Sequence, residues 1–382
     1  MKYKKHPFLF ILTHKDIYKR RMLLIFIIFW LLWYNKSAQC QGRGSVMAKV
    51  MSKRFVTIIG SLFLCLSLAM VYNRHINRSF LIAVQDVTVE NLPAAFDGFK
   101  ILQISDLHGS YFADGQADLI QAIHQTEYDI LVLTGDMNQK EESSLANSKA
   151  VLDLINGIEN KKPILWVDGN KGPYAMETVN GHPDGNLTAF GKILQGKGCK
   201  VLIFPYEILR GSDSIWFIPD VSNVRPTHSS QIFHANLVLN RVSDQNMLSY
   251  HESQREAFQQ ISTGSETKIL LTHLPKVDGF NVKTVAGIKT LVYDLIIAGH
   301  YHGGQIRVPF WGALFIPTQT PDFLDKLFPD QADVKGLSVA NGVPQYISAG
   351  LGASSAAPFL AFRFFNPPEI NLITLRSRAA KQ

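Results

Sequence analysis

The sequence predicts an α/β protein with strands buried on both faces, a second sheet facing the first, and an apolar segment ahead of the folded body. Three observations predict it. A short apolar run that stops abruptly in polar residues recurs along the chain, amphipathic stretches separate the first of these runs, and charge divides sharply between arm and body. The 382 residues are 46% hydrophobic and 18% charged, which suffices for a sizeable core and excludes disordered, collagenous and disulfide-scaffold classes. The formal net charge is +7, but residues 1 to 78 hold fourteen Lys/Arg against one acid, Asp16. The remaining residues hold 24 bases and 30 acids, so the body is mildly acidic. With no basic aromatic stripe, no Walker loop and no dinucleotide fingerprint, the sequence argues against nucleic acid as a partner.

In chain order, residues 22 to 34 (MLLIFIIFWLLWY) and 55 to 72 (FVTIIGSLFLCLSLAMVY) are charge-free apolar runs. The first is short for a membrane span, and the second reaches the lower limit, so 55–72 is the transmembrane candidate. A cleaved signal peptide is the alternative. No small-x-small site follows it promptly, and Asn73, Arg74, His75 and Asn77 suit an uncleaved anchor better. Lys49, Lys53 and Arg54 precede the run and Arg74 and Arg78 follow it, a near tie that leaves orientation open. Met47 and Met51 stand just before it as possible starts. Residues 1–78 are thus read as a basic arm and 79–382 as one folded body.

Within the body, FLIAVQDVTVENLP reads as a leading strand. Five apolar runs follow, each ending in a polar residue: ILQIS before Asp106, DILVLTG before Asp136, PILWVDG before Asn170, KILLT before His273 and DLIIAG before His300. ADLIQAIHQTEYD and SLANSKAVLDLINGIEN carry apolar residues at three and four spacing, as amphipathic helices do. DSIWFIPDV and QIFHANLVLN are further strand-like runs and supply the expected second sheet. Ligands in open α/β sheets bind at the carboxyl ends of strands, so the five ends are expected on one rim. Cys40, Cys65 and Cys199 fall in the arm, the span and the body, which suggests neither a disulfide nor a thiolate metal site.

The chemistry-bearing residues are Asp106 and His108 in SDLHG, Asp136 in TGDMN, Asn170 in DGNKG, His273 in LTHLP, and His300 and His302 in AGHYHGG. All are oxygen or imidazole donors. Such donors favour manganese, with iron or zinc as alternatives, over a sulfur-bound structural zinc. Seven are too many for one tetrahedral ion, and they suit two ions about 3.5–4 Å apart with a bridging carboxylate, a clamp for phosphate-ester hydrolysis. On an extended segment, D-x-H and H-x-H send both donors to the same side. The glycines before Asp136, Asn170 and His300 permit sharp turns where a Cβ would crowd the ions. His182, His228, His234 and His251 fall in no motif and read as surface or hydrogen-bonded residues, and EESS at 141–144 reads as a solvated helix start.

The ordered series D-x-H, G-D, G-N, T-H and G-H-x-H-G-G-Q resembles the calcineurin-like metallophosphoesterases, from about Leu92 to Leu375. The last part, GHYHGGQIRVPFWGALFIPTQ with YISAGLGASSAAPFLAFRFFNPPEINLITLR, resembles the YkuE-like branch, whose members often carry an N-terminal membrane segment or export signal. It is also similar to the G-type UDP-2,3-diacylglucosamine pyrophosphatases of lipid A biosynthesis. The resemblance implies a four-layer sandwich of two sheets flanked by helices. It implies one ion held by Asp106, His108, Asp136 and His302, and another by Asp136, Asn170, His273 and His300, with Asp136 bridging. It also implies catalytic roles centred on Asp136, Asn170 and His302.

One position departs from the pattern. Most relatives follow the Asn with His-Asp, and here Lys171-Gly172 follow Asn170. Lys171 can offer a cationic point donor to a phosphate without imidazole geometry. The expected function is a membrane-anchored dinuclear phosphohydrolase releasing UMP from UDP-2,3-diacylglucosamine. A general phosphodiesterase or phosphatase and a catalytically impaired metal-binding scaffold are the alternatives. A UDP-sugar substrate places the body on the cytoplasmic face of the inner membrane, whereas the export signal of some relatives argues for the other side. Phe310, Trp311, Leu314, Phe315, Phe323 and Phe328, after the last motif, read either as a loop meeting lipid or as buried packing.

Overall fold

The computed structural model describes residues 46–140, 145–159, 162–179, 182–220, 245–262, 265–276, 293–316, 327–354 and 362–378. The run at 22–34, Cys40, the EESS segment, His228, His234, Phe323 and the strand-like run at 231–240 lie outside these residues. The chain divides into two compact units, Met1–Val71 and Tyr72–Gln382.

The first helix, α1 (Val46–Ile76), begins nine residues before the apolar run. Met, Ala, Lys and Arg are good helix formers, and no Gly or Pro interrupts residues 46–54, so the helix propagates back through the polar flank. Its stretch Phe55–Ile76, 22 residues, is long and apolar enough to cross a membrane. Cys65 is an exposed free thiol on this stretch.

The second unit carries β1 (Leu81–Val89), β2 (Lys100–Ile104), α2 (Ala117–Gln125), β3 (Ile130–Leu133), α3 (Lys149–Gly157), β4 (Ile164–Trp166), a hairpin of β5 (Met176–Val179) and β6 (His182–Leu187), α4 (Ala189–Gly196) and β7 (Cys199–Val201). There follow β8 (Tyr206–Arg210), β9 (Asp213–Pro219), α5 (Gln245–Ser262), β10 (Thr267–Leu271), β11 (Leu295–Ala298), a hairpin of β12 (Arg307–Val308) and β13 (Gly312–Ala313), β14 (Gly336–Ala340), β15 (Val343–Ile347) and β16 (Glu369–Ser377). Among the described residues, one six-stranded sheet runs β1-β16-β2-β3-β4-β7 and another β14-β15-β11-β10-β9-β8. The protein is thus a mixed α/β fold with two sheets and helices. All five predicted site strands form, but they belong to two sheets: β2, β3 and β4 to one, β10 and β11 to the other.

Period-two alternation decides which side each residue serves. On β2 and β3, Ile101, Ile130 and Val132 join Ile215, Phe217, Ile269, Leu271 and Ile297 of the second sheet in one buried cluster. Their neighbours Leu102, Ile104, Leu131 and Leu133 pack instead on Leu119 and Ile123 of α2, Val151 and Leu154 of α3, and Phe190 of α4. On the far side, Ile218 of β9 meets Phe258 and Ile261 of α5. The order is therefore helices, sheet, sheet, helix. Gln103, fully buried, ties the sheets at the rim by donating to Thr134 Oγ1 and to the Ala298 carbonyl, both at 2.9 Å.

Candidate metal centre

The loops after β2 and β3 are laced together before any side chain is considered. Asp106 N donates to the Gly135 carbonyl, His108 N to Asp136 O and Gly109 N to Met137 O, at 2.8–3.0 Å. In this ladder Asp106, His108 and Asp136 take left-handed backbone angles (φ 54°, 48° and 55°), as do His300 and His302 (φ 73° and 51°). The extended D-x-H and H-x-H geometry expected from spacing is corrected here. Tight left-handed turns aim these side chains, a conformation that non-glycine residues hold only under restraint from their surroundings.

The side chains gather in two groups. Asp106, His108 and His302 bring one donor atom each within 4.8 Å of one another, and Asp136, His273 and His300 do likewise. Asp136 spans both: Oδ2 lies 3.6 Å from His108 Nε2 and Oδ1 3.3 Å from His273 Nε2. Asp106 Oδ1 is 3.5 Å from His302 Nε2. Asn170 Oδ1 lies 2.9 Å from His273 Nε2, and Tyr174 holds Asn170 by donating to its carbonyl. Lys171 is largely buried, and its backbone N–H donates to Asp136 Oδ1 at 2.6 Å. The seven sequence-predicted donors and Lys171 thus lie around one centre.

Close approach explains two of the glycines. A Cβ on Gly169 would fall 2.2 Å from Asp136 Oδ1, and one on Gly299 would fall 2.1 Å from Ser105 Oγ and 2.5 Å from Asp106 Oδ2.

Hydrogen bonds fix the histidine tautomers. His108 Nδ1 faces the Asn138 carbonyl (2.9 Å) and His302 Nδ1 the Gly352 carbonyl (3.3 Å), so each Nδ1 carries the proton. The two Nε2 lone pairs then face each other at 3.2 Å. Burial pushes both rings below the usual imidazole range; for His302, nearby His108 and Arg363 add to it. Two buried acceptors at that separation repel unless a cation lies between them, so a metal ion fits this donor set. In the other group burial disfavours ionised Asp136, yet His273, His108 and His300 outweigh it and hold the carboxyl well below the carboxylate range. Burial lowers His273, and Asp136 more than reverses this, pushing it up to about 9. Burial raises Asp106. The centre is built to surround positive charge.

Sequence reasoning missed the supports. Ser105 Oγ donates to Asp106 Oδ2 at 2.5 Å, and Asn366 Nδ2 donates to the His302 carbonyl at 2.6 Å. Arg363, buried, donates to the carbonyls of Ala349, Gly352, Asn366 and Pro367. Burial pushes its guanidinium down to about 10, which leaves it charged at neutral pH. The available signal was a lone charge inside the apolar run FLAFRFF, since a buried cation must find partners. Of the unassigned histidines, His182 opens β6 and His251 lies in α5.

The sequence model of the calcineurin-like phosphoesterase family matches residues 99–304, more than half of the chain, and the protein belongs to that family. It is accordingly a metallophosphoesterase, a hydrolase of phosphoric ester bonds in a family that binds divalent metals. It is 26% identical over 294 residues to the uncharacterized metallophosphoesterase YkuE of Bacillus subtilis, spanning 75% of this chain and 82% of that protein. With YkoQ of the same organism it is 25% identical, over 78% and 92% of the two chains. A metallophosphoesterase of Aquifex aeolicus is 23% identical over 79% and 94%. Among solved structures, a dimetal phosphatase from Danio rerio aligns with a TM-score of 0.33 and 14% identity, over 67% of this chain and 88% of that one.

Proposed function

We propose that the protein is a membrane-anchored dinuclear phosphohydrolase. Asp106, His108 and His302 would hold one divalent ion, and Asn170, His273 and His300 the other, with Asp136 shared. The observation that carries this reading is Asp136, which offers one carboxylate oxygen to each group of imidazoles. Bound divalent ions supply charge for the phosphoryl oxygens and a nucleophile at neutral pH. Manganese leads on donor chemistry, with iron or zinc as alternatives. The protein's part is positioning. Backbone carbonyls fix the three Nδ1 protons, so every Nε2 of His108, His273 and His302 faces the centre. Lys171 is assigned to the substrate phosphate as a point charge.

The sharpest substrate assignment is UDP-2,3-diacylglucosamine, cleaved to release UMP for lipid A biosynthesis. It rests on the resemblance of the C-terminal motifs and on a helix apolar enough to place the body at a bilayer holding an acylated substrate. The arm is assigned to residues 1–78 and the phosphoesterase domain to 79–382. A UDP-sugar substrate would put that domain on the cytoplasmic face of the inner membrane. UMP formation from the acylated UDP-sugar in detergent tests this, with an aryl phosphodiester as the control. Turnover of the control alone would support a general phosphodiesterase. Metal binding without turnover of either would support a scaffold, the reading that the Lys171-Gly172 replacement favours.

A further inference from the structure

The hairpin that leaves the metal centre carries exposed aromatic residues. Five residues after His302 the chain enters β12, turns at Phe310 and Trp311, and returns in β13. Phe310 is fully exposed (110%) although its backbone is left-handed (φ 65°), a costly conformation for a bulky residue that makes no packing use of it. Trp311 is 40% exposed and stacks 6.2 Å from Phe328, itself 44% exposed.

The root of this hairpin is tied to the turn in which α1 ends. Phe364 N donates to the Gln305 carbonyl (3.0 Å) and Arg307 N to the Phe364 carbonyl (2.9 Å). Phe362, 44% exposed, lies 6.5 Å from the Phe364 ring, Phe364 lies 4.6 Å from Phe365, and Phe365 lies 6.1 Å from exposed Tyr72. Asn73 clamps the two segments with its side chain, donating to the Arg363 carbonyl (2.5 Å) and accepting from Phe365 N (3.0 Å), and Asn77 donates to the same carbonyl (2.8 Å). Arg74 and Arg78 on this turn are exposed.

We infer that Tyr72, Phe310, Trp311, Phe328 and Phe362 form a second membrane contact, set into the headgroup region of the bilayer that α1 spans. The inference rests on the membrane-anchoring reading above. Aromatic rings with one wet edge are favoured at that depth, and the Arg74 and Arg78 charges match anionic headgroups. A bilayer is the occupant because the patch is joined by hydrogen bonds to Tyr72–Asn77, where the apolar stretch reaches water. The hairpin begins next to His302, so the contact sets the metal centre at the membrane surface and favours substrates that remain in the lipid.

The test uses the full chain in phosphatidylcholine/phosphatidylglycerol vesicles. Flotation with the vesicles checks anchoring by α1. The tryptophan emission lost on Trp311→Phe is then compared in vesicles with and without bromine on shallow acyl carbons. Quenching of that difference emission is expected. Phe310→Ser with Phe362→Ser should raise KM for an acylated phosphodiester in vesicles about tenfold and leave a soluble aryl phosphodiester unchanged. A chain that fails to float overturns the anchoring reading and the inference with it. A chain that floats with Trp311 unquenched overturns the inference alone. Equal loss on both substrates assigns these residues to packing and overturns it too.

Discussion

Five of the seven donors sit at positive φ, and this is where function is written into single residues. Each left-handed non-glycine residue costs on the order of 1–3 kcal/mol, so the loops must be over-determined by their neighbours. Asp136 illustrates how. Lys171 N and two histidines meet its carboxylate, and Gly169 leaves no room for a Cβ beside it. Asp136→Asn removes the shared charge, and we expect hydrolysis to fall by at least about a thousandfold with loss of bound metal. His302→Ala should do the same. Turnover in manganese and metal content of the purified variants check both. Arg363→Lys keeps a positive charge, but one ammonium cannot reach four carbonyls, so the Gly352 carbonyl that orients His302 loosens. A 10–100-fold weaker metal affinity is expected, roughly the usual effect of losing an outer-shell partner. Metal titration, read alongside Tm, separates this from unfolding. These residues were legible to unequal degrees. The donors stood out because they close a series of apolar runs in order; Arg363 offered only a lone charge in FLAFRFF, and Asn366, acting through backbone carbonyls, had no local sequence signature.

At the scale of elements, the buried strands were legible and the peripheral ones were not. The runs that became β2, β3, β4, β10 and β11 are mainly apolar because one face of each meets the other sheet and the other meets helices or further strands, with Gln103 of β2 a buried polar exception. The edge strands β8 and β14 are half-exposed, with mixed burial along their length, and give no such signal. Nor did local pattern place β16, which lies between β1 and β2, parallel to one and antiparallel to the other. The inter-sheet cluster is the load these strands share. Phe217 is fully buried there, and Phe217→Ala should cost about 3–5 kcal/mol, measured by denaturant titration of the metal-free protein.

For the whole molecule, the candidate metal centre also spans the two sheets. His273 and His300 follow strands of one sheet and Asp106, Asp136 and Asn170 strands of the other. Ions held between them, as proposed, would bind only the folded state and so stabilise it by mass action. At a thousandfold excess over Kd each contributes about 4 kcal/mol. Chelation should therefore lower Tm by several degrees or more, and added manganese should restore it, as differential scanning calorimetry would show.

The sequence by itself determined which donors exist, their order, and the apolar strands that carry them, because burial selects residue type locally. Tertiary structure decided which donors share a group. His108 and His302 are 194 residues apart and meet only because the loops behind two sheets close on each other. It also decided how they point, since left-handed turns, rather than the two-residue spacing of an extended strand, aim the side chains. Long-range pairing leaves no periodicity in the chain, so geometry of this kind exists only once the sheets have packed.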